Sequence, residues 1–389
     1  MASIAKKIRV MLQCILFVIL TRKTDSCPSM CTCDYYAAVH TVVCDSQDLY
    51  ELPERIPEWS TSMNLDGNYL SQLDLTAFNT TVYFEKFRIR YNRIDDIVLT
   101  NDPHATMLGL RGACNAISAT FPRLTHVNLR GNLLQKLPKC LFSAWPVLKV
   151  LNIDENRVRR IKDLNIANHI TYSDSLEELS LKGNQIQALT YSELYTPLSA
   201  LRKLKVLDLS ENAIRKIEGL VFMFMSDLQE IKLQDNQIRI LPNFAFMTMG
   251  RKVQAIHLQR NRIEFIANAA FAGLPALTTL NLGDNAIQCL LPQSISTCVP
   301  PPAFQSTMEL SPLNSVEHRY ADIDLHLLRQ LDVQGNRWRC DCNLKLFVQN
   351  EIMRRIARPV SRMPCEFPTA LRGQPLSSAL TRLEHCGNE

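Results

Sequence analysis

One spacing of apolar and polar residues recurs along most of the chain. It has the form LxxLxLxxNxL, in which L is an apolar residue, N an asparagine and x a mainly polar residue. Seven close copies occupy residues 124–134, 148–158, 176–186, 204–214, 228–238, 253–263 and 277–287, and two less regular copies occupy 60–70 and 83–94. Apolar residues at every second position predict a short strand with one buried face. Repetition of the motif predicts a solenoid, because each repeat buries its apolar face only against its neighbours.

The asparagine of the motif follows each predicted strand at a turn, where its side-chain amide can satisfy backbone groups that the turn leaves unpaired. It stands at Asn68, Asn92, Asn132, Asn156, Asn184, Asn212, Asn236, Asn261, Asn285 and Asn336. The commonest spacing is 24 or 25 residues, but Asn92 and Asn132 are 40 residues apart, and the last two asparagines are 51 apart. Each long gap predicts one degenerate copy, at 106–117 and at 306–316. The sequence therefore predicts eleven to twelve repeats.

The return half of several repeats carries a further apolar residue, usually phenylalanine. These residues follow their asparagine by about ten positions, at Phe78, Phe142, Phe222, Phe246 and Phe271. Since a single repeat is too small to bury them, we expect them to pack between neighbouring repeats. The apolar residues and the asparagines of the motif are therefore expected to have structural roles.

Cysteine clusters stand at both ends of the repeats, where a solenoid needs caps over its open ends. They comprise Cys27, Cys31, Cys33 and Cys44 before the repeats, and Cys340, Cys342, Cys365 and Cys386 after them. Each cluster alone permits three disulfide pairings. Zinc binding is a further possibility, but an exported chain favours disulfides.

The repeats between two such clusters resemble the extracellular leucine-rich-repeat proteins with cysteine-rich N- and C-terminal caps, such as Slit, the Nogo receptor, Toll-type ectodomains and the variable lymphocyte receptors. The resemblance implies an α/β solenoid, or horseshoe, with a parallel sheet on the concave face and an irregular or 3₁₀ convex side. It also implies the cap disulfides Cys27–Cys33, Cys31–Cys44, Cys340–Cys365 and Cys342–Cys386.

Five cysteines of the 13 lie outside the two clusters. Cys14 lies in an N-terminal apolar run. Cys289 and Cys298 are close enough along the chain to form a local disulfide. A bond between Cys114 and Cys140 would bring the count of the mature chain to six disulfides, and two buried free thiols are the alternative.

The N-terminus carries the features of a secretory signal peptide. Lys6, Lys7 and Arg9 precede the apolar run VMLQCILFVIL at 10–20. An uncleaved membrane anchor is the alternative interpretation of this run.

The predicted divisions of the chain are a signal peptide at 1–26, an N-terminal cap at 27–57, repeats at 58–335 and a C-terminal cap at 336–389. A proline-rich stretch near 288–323 interrupts the repeats and is either a recognition loop or a tolerated insertion. We therefore expect a secreted, extracellular protein with one N-glycan, at Asn79.

No catalytic motif is present in the sequence. The eight histidines are scattered, and the chain has no HExxH, GxSxG or glycine-rich phosphate-binding motif. A net charge of +5 over 389 residues gives no reason to expect nucleic acid as a partner. We therefore expect neither enzymatic activity nor a cofactor or metal.

A binding surface is the remaining expectation. The polar residues that flank the buried ones in each strand face the concave side, and in the N-terminal third many are basic. The sequence predicts a basic patch that contacts an acidic protein or a sulfated glycan, formed by Lys86, Arg88, Arg90, Arg111 and Arg130. A face that only keeps the protein soluble is the alternative.

The resemblance implies a secreted protein that binds another protein in cell–cell signalling, adhesion or innate immune recognition. A structural component of the extracellular matrix and an inhibitor of an extracellular enzyme are the other candidates. The oligomeric state is open.

Overall fold

The computed structural model describes ten stretches of the chain. They are 27–34, 40–54, 56–78, 83–99, 120–166, 175–192, 201–248, 250–290, 327–356 and 363–381. The predicted signal peptide, the proline-rich stretch from 291 onwards, Asn79 and Arg111 lie outside these residues.

A twelve-stranded sheet dominates the described residues. In spatial order its strands are β1 (Thr32–Asp34), β2 (Thr41–Val43), β3 (Ser62–Asn64), β5 (Lys86–Arg88), β7 (His126–Asn128), β8 (Val150–Asn152), β9 (Glu178–Ser180), β11 (Val206–Asp208), β13 (Glu230–Lys232), β15 (Ala255–His257), β17 (Thr279–Asn281) and β18 (Gln330–Asp332). The first two strands pair antiparallel and all the others pair parallel. The leucine-rich-repeat solenoid with its long parallel sheet is thus confirmed.

The short strands β4 (Gln72–Asp74), β6 (Asp96–Val98), β10 (Ala188–Leu189), β12 (Lys216–Ile217), β14 (Ile240–Leu241) and β16 (Phe265–Ile266) form three two-stranded parallel sheets after the turns. The return half also contains the one-turn helix α1 (Leu141–Ala144) and 3₁₀ turns at Leu75–Phe78 and Ile161–Leu164. The C-terminal cap contains α2 (Cys342–Gln349), α3 (Glu351–Ile356), a 3₁₀ turn at Thr369–Leu371 and α4 (Leu376–Thr381).

The strands stack in register, so equivalent residues of neighbouring repeats meet. Leu207 aligns with Leu179 on one side and with Ile231 on the other, and all three are buried. The residues that flank each central apolar residue are exposed or half-buried. Behind the sheet, the rings of Phe222, Phe246 and Phe271 stack at centroid distances of 6.1 and 5.5 Å, which confirms the predicted packing of these residues between repeats.

The consensus asparagines tie each turn to the repeat before it. Nδ2 of Asn156 donates to the carbonyl of Ile153 in its own repeat (3.1 Å) and to that of Leu129 in the preceding one (3.0 Å). Its Oδ1 accepts from the backbone N–H of Leu134 (2.9 Å). The buried asparagines of the other repeats make the same kinds of bond, as the predicted role of this amide requires.

The residue before each of these asparagines has a left-handed backbone. The ten positions are Gly67, Tyr91, Gly131, Glu155, Gly183, Glu211, Asp235, Arg260, Asp284 and Gly335, with φ between 52° and 71°. Glycine adopts this conformation without steric cost, whereas other residues are strained by about 1–2 kcal/mol. The solenoid maintains the strain at six of the ten turns.

The predicted degenerate repeats at 106–117 and 306–316 lie outside the described residues, and the regular repeats on either side of each pair directly in the sheet. Lys86 of β5 aligns directly with His126 of β7, and Thr279 of β17 with Gln330 of β18. The described residues contain ten consensus turns. The count of eleven to twelve repeats stays a prediction.

Disulfides fix both ends of the solenoid. Cys27 bonds to Cys33 and Cys31 to Cys44 in the N-terminal cap, where β1 and β2 extend the sheet, and Cys340 bonds to Cys365 in the C-terminal cap. These are pairings that the family resemblance implies.

The remaining predicted disulfides are only partly described. Cys140 and Cys289 are disulfide-bonded, so Cys140 is not a free thiol. Their expected partners Cys114 and Cys298, like Cys386, lie outside the described residues, and the structure describes no side chain for Cys342. The pairings of these four residues therefore stay predictions.

Candidate protein-binding surface

The exposed face of the twelve-stranded sheet, called the sheet face below, presents at least one polar side chain from each strand. In β5, Phe87 points into the core while Lys86 and Arg88 lie on the sheet face. The described part of the chain contains no cluster of three histidine, cysteine or acidic residues that could hold a metal. Within the same residues, every helix is too short or too polar to cross a bilayer.

Asp66 organises the N-terminal part of the sheet face. One of its oxygens, Oδ2, accepts from Arg88 Nη2 (2.6 Å) and from Nε and Nη2 of Arg90 (3.0 and 2.8 Å), while Oδ1 accepts from the Arg90 backbone N–H (2.8 Å). Burial acts to raise the pKa of Asp66, but these bonds outweigh it and hold the pKa below its ordinary value. Two guanidinium groups from one repeat are therefore fixed by one carboxylate of the repeat before it.

The structure brings together four of the five predicted patch residues. Lys86, Arg88 and Arg90 belong to one repeat, and Arg130 belongs to the next. Arg130 pairs with Glu155 (2.5 Å), a residue two repeats from Arg90. Sequence reasoning identified the cations but missed the acidic partners Asp66 and Glu155. The patch is therefore less positive and better ordered than the sequence suggests.

His126 lies at the same strand position as Lys86, in the neighbouring strand. Partial burial, followed by the nearby charge of Lys86, lowers the pKa of His126, and Glu178 acts in the opposite direction. At neutral pH this ring is therefore uncharged and adds no positive charge to the patch.

Tyr91 is an exposed aromatic residue in the middle of the cations. Its backbone is left-handed (φ 55°), and 48% of its surface is exposed. The guanidinium carbons of Arg90 and Arg130 lie 5.8 and 5.9 Å from the ring centroid. The ring lies against Gly131, where a Cβ atom would overlap it. The repeat alignment could have revealed Tyr91, because it occupies a position that both neighbouring repeats fill with glycine.

A second aromatic group lies in the part of the chain before Tyr91. The rings of Tyr50 and Tyr69 stack at 5.3 Å, and the guanidinium of Arg93 lies 4.7 Å from the Tyr69 ring centroid. Tyr50 is 70% exposed. We call the following set the tyrosine–arginine patch: Tyr50, Tyr69, Lys86, Arg88, Arg90, Tyr91, Arg93 and Arg130. Tyrosine and arginine are enriched in the energetic centres of protein interfaces.

Charges on the rest of the sheet face are mixed and largely paired. Lys182 pairs with Glu211 (3.0 Å), and Lys232 lies 3.9 Å from Asp208. His257 Nε2 lies 3.1 Å from Glu230. The patch thus differs from the middle of the sheet face in both its net charge and its aromatic content.

Comparison with known proteins identifies the fold family. The profile of the family Leucine rich repeat matches residues 174–238, 202–249 and 251–299. The repeats, the long parallel sheet and the disulfide-bonded caps make the chain similar to the extracellular leucine-rich-repeat proteins. Proteins of this kind are typically non-enzymatic. The disulfides in both caps suggest an extracellular localisation.

Two curated relatives illustrate the sequence similarity. Human "Leucine-rich repeats and immunoglobulin-like domains protein 1" is 28% identical over 213 residues, which cover 53% of this chain and 18% of the relative. Mouse podocan is 26% identical over 306 residues, which cover 73% of this chain and 46% of podocan. The chain spans about half the length, or less, of these relatives.

Solved structures show the same leucine-rich-repeat fold. FLRT2, in an octameric complex with latrophilin 3 and Unc5D, aligns with 93% of this chain and 100% of its own, with a TM-score of 0.62 and 19% identity. The Toll–Spätzle complex of Drosophila aligns with 82% of this chain and 44% of its own, with a TM-score of 0.55 and 20% identity.

Proposed function

We propose that this leucine-rich-repeat protein is secreted and binds an extracellular protein through the concave face predicted from the sequence, which is the sheet face. Its role lies in cell–cell signalling, adhesion or innate immune recognition. The tyrosine–arginine patch is the contact surface, and an acidic, partly apolar segment of the partner is its ligand. The signal peptide at 1–26 and the glycan at Asn79 are parts of the same proposal.

The observation that carries this proposal is the arrangement of Tyr91 between Arg90 and Arg130. An exposed aromatic side chain in a left-handed conformation costs stability, and four of the ten equivalent turns avoid this cost with glycine. The five other turns without glycine carry charged residues, so Tyr91 is the one aromatic residue among the ten. Asp66 and Glu155 hold the neighbouring guanidinium groups, so little side-chain entropy is lost when a ligand binds.

The structural relatives support protein binding as the general activity. The FLRT2 repeats occur in a complex with latrophilin 3 and Unc5D, and Toll occurs in a complex with Spätzle. A protein partner also fits the patch better than a polyanion does, because three of its cations are already paired with carboxylates and three exposed or half-buried tyrosines supply apolar area.

The test is a binding screen of the secreted protein against a panel of purified extracellular domains, followed by two matched variants. Tyr91→Gly removes the ring and relieves the left-handed strain, so the fold is retained. Glu211→Gly makes the same change at the equivalent turn of the mixed, central part of the sheet face. We expect any specific partner to lose at least about tenfold in affinity with Tyr91→Gly, as expected for a central aromatic contact, and to bind Glu211→Gly like the original protein. Equal binding to both variants would exclude the patch as the contact surface.

A further inference from the structure

A second basic surface lies beside the sheet, on the side where the chain turns after each strand. We call it the turn flank. A groove of about 570 Å³ opens there between three neighbouring repeats. Its polar lining includes Gln135, Arg157, Arg159, Arg160, Asp163 and Gln187. None of these residues belongs to the tyrosine–arginine patch.

The groove has an excess of positive charge. Arg160 is paired with Asp163 through two hydrogen bonds of 2.9 Å. Arg157 and Arg159 have no carboxylate partner among the described residues, and both are exposed. The three arginines and one aspartate of the lining therefore leave a local charge of about +2.

Glutamine side chains orient Arg159 and Arg215 without neutralising them. Arg159 Nε donates to Oε1 of Gln185 in the next repeat (3.3 Å), and Arg215 Nε donates to Oε1 of Gln237 in the same way (3.1 Å). A guanidinium has five N–H donors, so the terminal Nη groups stay available for a ligand. These contacts differ from those of the tyrosine–arginine patch, where carboxylates orient Arg88, Arg90 and Arg130.

The basic surface continues beyond the groove. Ala188, in the wall of the groove, aligns with Lys216 in the neighbouring strand, and this alignment places Arg215 next to the groove. Arg159 and Arg215 follow their asparagines by the same three positions and are separated by two strand spacings, about 10 Å. The turn flank thus presents guanidinium groups at intervals along the direction in which the repeats stack.

Such a surface fits a linear polyanion. A protein partner needs apolar or aromatic anchors for affinity, and among the described lining residues Ala188 is the only apolar one. Guanidinium groups bind sulfate and other oxyanions through paired N–H donors. We propose that the turn-flank groove is a binding site for a sulfated glycan chain, held by Arg157, Arg159 and Arg215. This site is separate from the protein-binding surface of the proposed function.

The test uses size-defined heparin oligosaccharides and the full secreted protein. The variant is Arg157→Gln with Arg159→Gln and Arg215→Gln. The control, Arg202→Gln with Lys203→Gln and Arg251→Gln, removes three charges that precede strands and so lie at the opposite side of the repeats. All six side chains are exposed, so both proteins should unfold like the original in urea.

We expect the turn-flank variant to lose about tenfold or more in heparin affinity at physiological salt and to show a weaker dependence of affinity on salt concentration. The control should stay within about twofold of the original protein, and Tyr91→Gly should bind heparin normally. Three results would each overturn the proposal: no heparin binding by the original protein, equal losses in the two triple variants, or equally tight binding of fully desulfated heparin or polyglutamate.

Discussion

The ring of Tyr91 occupies the space in which any other residue at Gly131 would place its β-carbon. Both residues stand before a consensus asparagine, in neighbouring repeats, and both have a left-handed backbone. The Tyr91 ring can therefore keep its position only because Gly131, in the next repeat, has no side chain. This pair thus couples the proposed contact surface to the stability of the solenoid.

Replacing Gly131 by alanine should destabilise the protein by about 2–3 kcal/mol, since it adds an overlap with Tyr91 to the left-handed strain. Gly67→Ala is the matched control, because the nearest atom to its β-carbon would be Oγ of Ser46, at 3.1 Å. We expect about 1 kcal/mol for that change. Urea unfolding measures both. In a protein that carries Tyr91→Gly, Gly131→Ala should lower the free energy of unfolding by less than it does alone. Additive losses in the double variant would contradict the proposed contact.

Asn156→Ala should cost about 3 kcal/mol, because it leaves the Leu134 N–H and the carbonyl groups of Leu129 and Ile153 without their buried partner. Asn281→Ala serves for comparison. The Asn281 side chain is half-buried and accepts one bond, from the backbone N–H of Gly283 (3.0 Å). Its removal should cost less than about 1 kcal/mol. If Asn156→Ala and Asn281→Ala lowered the free energy of unfolding equally, the consensus position of Asn156 would have no special importance for stability.

The pair of arginines on Asp66 should stabilise the protein in a pH-dependent way. The pKa of Asp66 is lower in the folded protein than its ordinary value. Its contribution is therefore present above an unfolded pKa of about 3.9 and is lost as the pH falls through the folded value. The difference in unfolding free energy between the original protein and Asp66→Asn should shrink below about pH 4.

The magnitude should be modest, since Arg88 is 49% exposed and solvent screens the pair. Making Asp66→Asn in a protein that already carries Arg88→Gln and Arg90→Gln isolates the contribution of the ion pairs. In that protein, the pH dependence of the loss in unfolding free energy should largely disappear. If the stability difference between the proteins with and without Asp66→Asn kept its full acid dependence without the two guanidinium groups, the pH dependence would come from another interaction.

Mass spectrometry of the secreted protein tests the parts of the chain that the structure does not describe. We expect an N-terminus near Cys27 and six disulfides. Non-reducing peptide maps should contain Cys114 with Cys140, Cys289 with Cys298, and Cys342 with Cys386. A retained Met1, or alkylated cysteines in the unreduced protein, would contradict export and complete oxidation.

The repeat motif predicted most of the fold, because each position has one physical role. Apolar residues at every second place predict the buried side of a strand, and the buried asparagine amide has the backbone partners expected of it. The count of eleven to twelve repeats stays a prediction, because the two degenerate copies that it includes, at 106–117 and 306–316, lie outside the described residues.

The candidate surface could be predicted only in part. The strand pattern correctly placed Lys86, Arg88, Arg90 and Arg130 together. Their acidic partners come from other repeats, and the significance of Tyr91 depends on a backbone angle that the residue type itself disfavours. The glutamine contacts of the turn flank likewise depend on side-chain conformations across two repeats.

The direct pairing of β5 with β7, and of β17 with β18, has a consequence for protein engineering. Neighbouring repeats pair directly across spacings of 40 and 51 residues as well as 24, in keeping with the slow growth of loop-closure entropy with length, about 0.6 kcal/mol for each doubling. Foreign peptides of different lengths should therefore be tolerated between residues 99 and 120 or between 290 and 327. The solenoid could display such grafts while its sheet face stays unchanged.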